Sequence, residues 1–129
     1  MKNKYSVIIP INLKPKPSPV EITAAEILAN FLQADVKFYN RNPHPTPDFI
    51  IKGQKWELKT PLGKSENSIR RNVKSALRQS RNIVIDARFS KLHINKIKHL
   101  LDFEITHSKS INKLILICKD KKVLLIFEK

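Results

Sequence analysis

Apolar and polar positions divide the chain into helical and strand-like segments. Ile22, Ala25, Leu28, Ala29 and Leu32 recur every three or four residues, which predicts a helix over 18–34. Its start is explicit: Ser18 as N-cap, Pro19 at the first helical position and Glu21 completing a capping box. Before it, the apolar run 6–13 is broken by Pro10 and reads as an edge strand or an extended lead-in. Residues 36–39 form a short strand, and the Pro-rich stretch 40–47 a loop. Residues 48–52 and 55–60 read as two strands joined at Gly53, with a loop over 61–66. Ile69, Val73, Ala76 and Leu77 place a second helix over 67–80. The unbroken apolar run 82–86 is a central strand. A third helix follows over 92–101, capped by Ser90, and then strands 113–119 and 122–128 meeting at Asp120-Lys121. The order αβββαβ, with a strand in front and a helix plus β-hairpin behind, predicts an α/β fold: a mixed central sheet flanked by helices.

Length sets this up as one domain, 1–129, with enough chain to bury a core. No apolar stretch is long enough to span a membrane, and the N-terminus lacks the features of a signal peptide. Cys118 is the single cysteine, so no intrachain disulfide forms; it sits in an apolar run and reads as core. The formal net charge of +14 changes the picture most. So basic a domain favours polyanions, and nucleic acid is the commonest of them.

Acidic residues are scarce, yet Asp48 and Glu57 fall on the two strands that meet at Gly53. A two-residue turn at Lys52-Gly53 sets Asp48 opposite Glu57; one at Gly53-Gln54 sets it opposite Lys59. Either register puts Asp48, Glu57 and Lys59 on one face, with Trp56 and Leu58 on the other. A three-residue turn would break that parity. Two carboxylates suit a hard cation such as Mg²⁺ or Mn²⁺, and Lys59 beside them would orient a water or bind a phosphate. The competing reading is a solvated face whose acids pair with lysines.

Pro47-Asp48, an eight-residue gap and then Glu57-Leu58-Lys59 resembles the PD-(D/E)XK nuclease motif, and αβββαβ is that superfamily's core. The stretch 47–86, with WELKTP and the following basic helix, resembles the C-terminal toxin domains of contact-dependent growth inhibition (CdiA-type) and related polymorphic toxins. The resemblance covers roughly 18–86. It implies a metal-dependent endonuclease toxin acting on nucleic acid, tRNA before DNA, in the cytoplasm of a target cell. Asp48 and Glu57 would then hold the metal, Lys59 would assist the attacking water, and Glu26 and Gln79 would support the site from the two helices. It also implies an acidic immunity protein as partner. A DNase of the same fold, a metal-independent ribonuclease using Lys59, His44 or Thr60, and a non-catalytic nucleic-acid binder are the alternatives.

The second helix carries Arg70, Arg71, Lys74, Arg78 and Arg81 off its apolar stripe. Like charges at this spacing disfavour an isolated helix, and a nearby phosphate backbone would relieve them. Lys64, in the loop past the motif, would be a further phosphate contact. His44, His93, His99 and His107 show no zinc-site spacing, and two glycines make no phosphate loop.

Overall fold

A computed structural model describes residues 4–39 and 48–129. The expected loop over 40–47, with His44 and Pro47, lies outside them. The described residues form one seven-stranded mixed sheet with strands in chain order, and three helices.

The first strand, β1 (Val7–Ile8), is parallel to β2 (Val36–Phe38), and α1 (Pro19–Leu32) links them. β1 is two residues long because the chain turns at Pro10, whose carbonyl accepts from the Leu13 N–H at 3.1 Å. α1 begins as the sequence predicts. The Ser18 Oγ accepts from the Glu21 N–H, and a Glu21 carboxylate oxygen accepts from the Ser18 N–H. It ends at Gln33, in the left-handed region with φ 54°.

Next come the antiparallel strands β3 (Phe49–Ile51) and β4 (Gln54–Lys59). Two parallel crossovers follow: β4 to β5 (Asn82–Asp86) through α2 (Glu66–Leu77), and β5 to β6 (Lys113–Ile117) through α3 (Ile94–His107). β5 is central, and β7 (Val123–Glu128) closes the sheet antiparallel to β6.

α3 differs most from expectation. It starts two residues later and runs on to His107, and its cap is His93, whose Nδ1 accepts from the Asn95 N–H at 3.1 Å. Ser90 instead joins two loops: its Oγ accepts from the Leu92 N–H and donates to the Gly63 carbonyl.

The sheet has two different faces. Ala24, Ala25, Leu28 and Ala29 of α1 pack on Phe38, Phe49, Trp56, Leu58, Val84 and Ile115. Small residues on α1 let it lie close to the large side chains of the sheet. On the other face, Ile69 and Val73 of α2 and Ile97 and Leu101 of α3 cover Ile83, Ile85, Leu114 and Leu116. Cys118 belongs to this second core, as expected of it.

Candidate active site

The turn between β3 and β4 decides which residues share a face. Lys52 and Gly53 both have positive φ, 51° and 77°, the signature of a two-residue type I′ turn. Ile51 pairs with Gln54, and Phe49 with Trp56. One further step along the same ladder sets Asp48 across from Glu57, the first of the two registers the sequence allows. Trp56 and Leu58 point into the α1 layer, so alternation turns Glu57 and Lys59 towards α2.

These side chains interact tightly. Asp48 Oδ2 accepts from the Leu58 N–H at 2.9 Å, which fixes the carboxylate against β4. Glu57 is only 3% exposed. Lys59 Nζ lies 3.3 Å from Glu57 Oε2 and keeps a partly open path to solvent. Burial, then the charge of Asp48 and a hydrogen bond to it, push the Glu57 carboxyl up to about 8; Lys59 pulls the other way and does not win. At neutral pH the Asp48–Glu57 pair therefore holds a proton between two acids. A hard cation can replace that proton, because it relieves the same repulsion and takes oxygen ligands. No three of His, Cys, Asp and Glu converge among the described residues. A cation here would have two protein carboxylates and fill its remaining positions with water or substrate oxygens, the pattern Mg²⁺ favours.

The other expected site residues are dispersed. Gln79 lies just past α2, next to Ser80 and one turn of chain from Asn82, whose side chains both donate to the Lys55 carbonyl (2.7 and 3.0 Å). That clamp holds the end of α2 beside the first half of β4, on the face of Glu57. Glu26 is not brought to the hairpin. It is exposed on α1, which packs on the opposite face, and it lines a groove with Thr23, Asn30, Phe31, Lys121 and Val123. The position beside the apolar stripe that suggested it turns towards the β6–β7 turn instead.

The basic ridge also divides. Arg70 and Lys74 line the groove between α2 and α3 with Phe103 and Glu104, while Arg71 in mid-helix and Arg78 at the C-cap are exposed. Lys64 is exposed in the loop after β4.

One feature was missed in the sequence. Ser68, Asn72, Ser75 and Gln79 follow one another at steps of four, three and four, and all are half-buried. This polar stripe runs along the flank of α2 opposite the α3 groove, hence towards β4. Ser68 Oγ is buried with no partner among the described residues, and Asn72 Nδ2 donates to the Ser68 carbonyl at 2.6 Å. Its helical period was available as a signal, but polar helix positions default to a solvent reading.

The fold and this group define a mixed α/β domain that presents paired carboxylates and a lysine from a strongly basic chain. The chain belongs to the contact-dependent growth inhibition CdiA C-terminal domain family, whose model matches residues 45–123. Among solved structures it is similar to the CdiA-CT/CdiI toxin and immunity complex from Burkholderia pseudomallei, at 21% identity and a TM-score of 0.63, covering 96% of this chain and 99% of that one. No curated protein matches in sequence.

Proposed function

We propose that the chain is a toxin effector that hydrolyses phosphodiester bonds, a PD-(D/E)XK-type nuclease whose site is the Asp48–Glu57–Lys59 group. The observation that carries this reading is the buried Glu57 carboxyl, pressed against Asp48 and raised to about 8. A sheet surface that only needs solubility gains nothing from such a pair.

In this reading Asp48 and Glu57 hold Mg²⁺ or Mn²⁺, with Asp48 fixed by the Leu58 N–H. When bound, the ion would stabilise charge on the phosphate and lower the pKa of a coordinated water. Lys59 sits close enough to Glu57 to orient that water or steady a phosphate oxygen. Gln79 and the polar flank of α2 contact the substrate from the helix side. Lys64, Arg71 and Arg78 neutralise its backbone, and Arg70 and Lys74 extend the basic surface towards α3.

Nucleic acid is the substrate class, with tRNA favoured over DNA from the family resemblance. The toxin reading brings an immunity protein as partner, acidic to match the charge of +14, and action in the cytoplasm of a target cell. The test is a digest of a mixed tRNA and plasmid pool with and without Mg²⁺. Degradation that needs the metal and disappears in folded Asp48→Ala supports the proposal. A wild type that cuts neither polymer in any divalent metal removes it.

One observation favours a second reading. A carboxyl with a pKa near 8, touching a lysine, is matched to proton transfer near neutral pH without a metal. Cleavage of RNA that persists in EDTA selects this metal-independent ribonuclease.

A further inference from the structure

A cleft of about 380 Å³ lies away from the hairpin, between the start of α3 and the β6–β7 turn. Its lining is of two kinds. Ile94, Leu124 and Cys118 form an apolar floor, while Lys98, Lys119 and Lys122 make the rim basic. Asp120 is also on the lining, and three ammonium groups outweigh it. His93 adds a donor: its Nδ1 accepts from the Asn95 N–H, so the neutral ring carries its proton on Nε2.

The cleft shares a face and an end of the sheet with the carboxylate group. Lys59 pairs with Ile85, and Ile85 with Leu116, in one row across three parallel strands. Cys118 stands two residues beyond Leu116 on the same face, in the α2/α3 core. Strands are about 4.8 Å apart, so β4 and β7 are separated by roughly 15 Å. The loops between are joined, since the Lys91 N–H donates to the Gly63 carbonyl at 3.1 Å. They leave Lys64 and Lys91 exposed along the way. A basic path thus runs from Lys59 to the cleft, outside the carboxyl ends of parallel strands, where open α/β sheets bind ligands.

We infer that this cleft is a nucleotide-binding subsite, seating one unpaired nucleotide of a polymer whose phosphodiester lies at the hairpin. The apolar floor of Ile94 and Leu124 takes the base, and Lys98, Lys119, Lys122 and His93 take the phosphate. The volume falls within the range of small-ligand sites. An acidic protein surface would satisfy the lysines and leave the floor unused. The identity of the polymer rests on the nuclease reading; the binding of a mononucleotide does not.

The experiment titrates adenosine and guanosine 5′-monophosphate into the full chain in EDTA and follows backbone amide shifts. Saturable shifts at Ile94, Lys98, Cys118 and Leu124 are expected. Lys98→Glu with Lys122→Glu should weaken binding at least tenfold, and Glu57→Gln should leave it unchanged. With nucleic acid, the same double variant should raise KM without lowering kcat, and reduce the log–log salt slope of binding by about one. If that pair fails to fold, Lys119→Glu with Lys122→Glu, both exposed, replaces it. Absence of saturable shifts overturns the inference, as does equal binding by the double variant. Inorganic phosphate binding as tightly as the nucleotides also overturns it, since no base is then seated. A double variant that loses an acidic protein partner but keeps its nucleic-acid affinity makes the cleft a protein interface instead. Nucleotide binding by a wild type that cuts nothing keeps the subsite and removes the nuclease reading; cleavage without nucleotide binding does the reverse.

Discussion

Two acids are buried on this sheet, and their surroundings are opposite. Asp86, at the end of β5, is fully enclosed and fully answered. Arg88 donates to both of its oxygens, from Nε at 2.9 Å and Nη2 at 2.8 Å, and the Arg88 N–H adds a third bond. Arg88 Nη2 also donates to the Val20 carbonyl, so the pair ties β5 to the first turn of α1. Glu57, on β4, has a second carboxylate for a neighbour and, among the described residues, a lysine contact at 3.3 Å. A buried acid with a bidentate arginine is a structural fastener. One buried against a second carboxylate is a place where the fold carries a cost, and such places are where chemistry is sought.

The largest expected contrast follows from that difference. Asp48→Asn or Glu57→Gln should lower nucleolytic turnover by a factor of about 10²–10³, with circular dichroism unchanged and no loss of stability near neutral pH. Asp86→Ala should do the reverse. Leaving Arg88 buried without its partner costs about 3–5 kcal/mol, read as a drop in the urea midpoint with the slope unchanged. Equal losses of stability at both positions would abolish the distinction between them.

Proton linkage gives the next contrast. The free glutamate value is 4.5 and that of native Glu57 about 8. Between the two the folded chain keeps a proton that the unfolded chain has released. The stability Glu57 contributes is thus complete below 4.5 and is lost as pH rises through 8. Glu57→Gln removes this decline, so the variant should melt several degrees above wild type at pH 9, with the gap closing towards pH 5. A variant that melts lower than wild type at pH 9 would show that Glu57 is not under strain. The same proton must leave before a cation enters. Mg²⁺ affinity, measured by titration calorimetry, should rise about tenfold per pH unit from 6 to 8 and level off above. A flat profile would place the ion elsewhere.

How much of this was readable in the chain depended on how local the determinant was. The α1 cap, the two-strand hairpin and the central position of β5 all follow from a few neighbouring residues, and the structure has them. Asp48, Glu57 and Lys59 share a surface because period-two alternation and a two-residue turn are local as well. Glu26 needed more. Which way an exposed helical residue faces depends on which side of the sheet the helix packs, and that is decided by Ala24, Ala25, Leu28 and Ala29 meeting Trp56 and Leu58. The α3 boundary was lost for a similar reason, since Ser90 is drawn to the Gly63 carbonyl and His93 takes over the cap. The cleft beyond α3 is built from β6, β7 and a helix start, and no single stretch of sequence contains it.

The smallest effect tests the turn on which the site's geometry depends. Lys52 occupies a left-handed position, φ 51°, where a β-carbon is unfavourable, and Gly53 follows at φ 77°. Asparagine tolerates that region far better, and Asn-Gly is the preferred type I′ pair. Lys52→Asn should therefore stabilise the chain by a few tenths of a kcal/mol to about 1 kcal/mol, without altering activity. Gly53→Ala should destabilise it by about 1 kcal/mol or more, although open space around its α-carbon means that backbone strain, and not a clash, is responsible. If the turn shifted register on either change, Asp48 would no longer face Glu57. Turnover would then collapse far beyond what the change in stability explains, and such a collapse in Lys52→Asn would show that the hairpin register, rather than the carboxylates alone, sets the site.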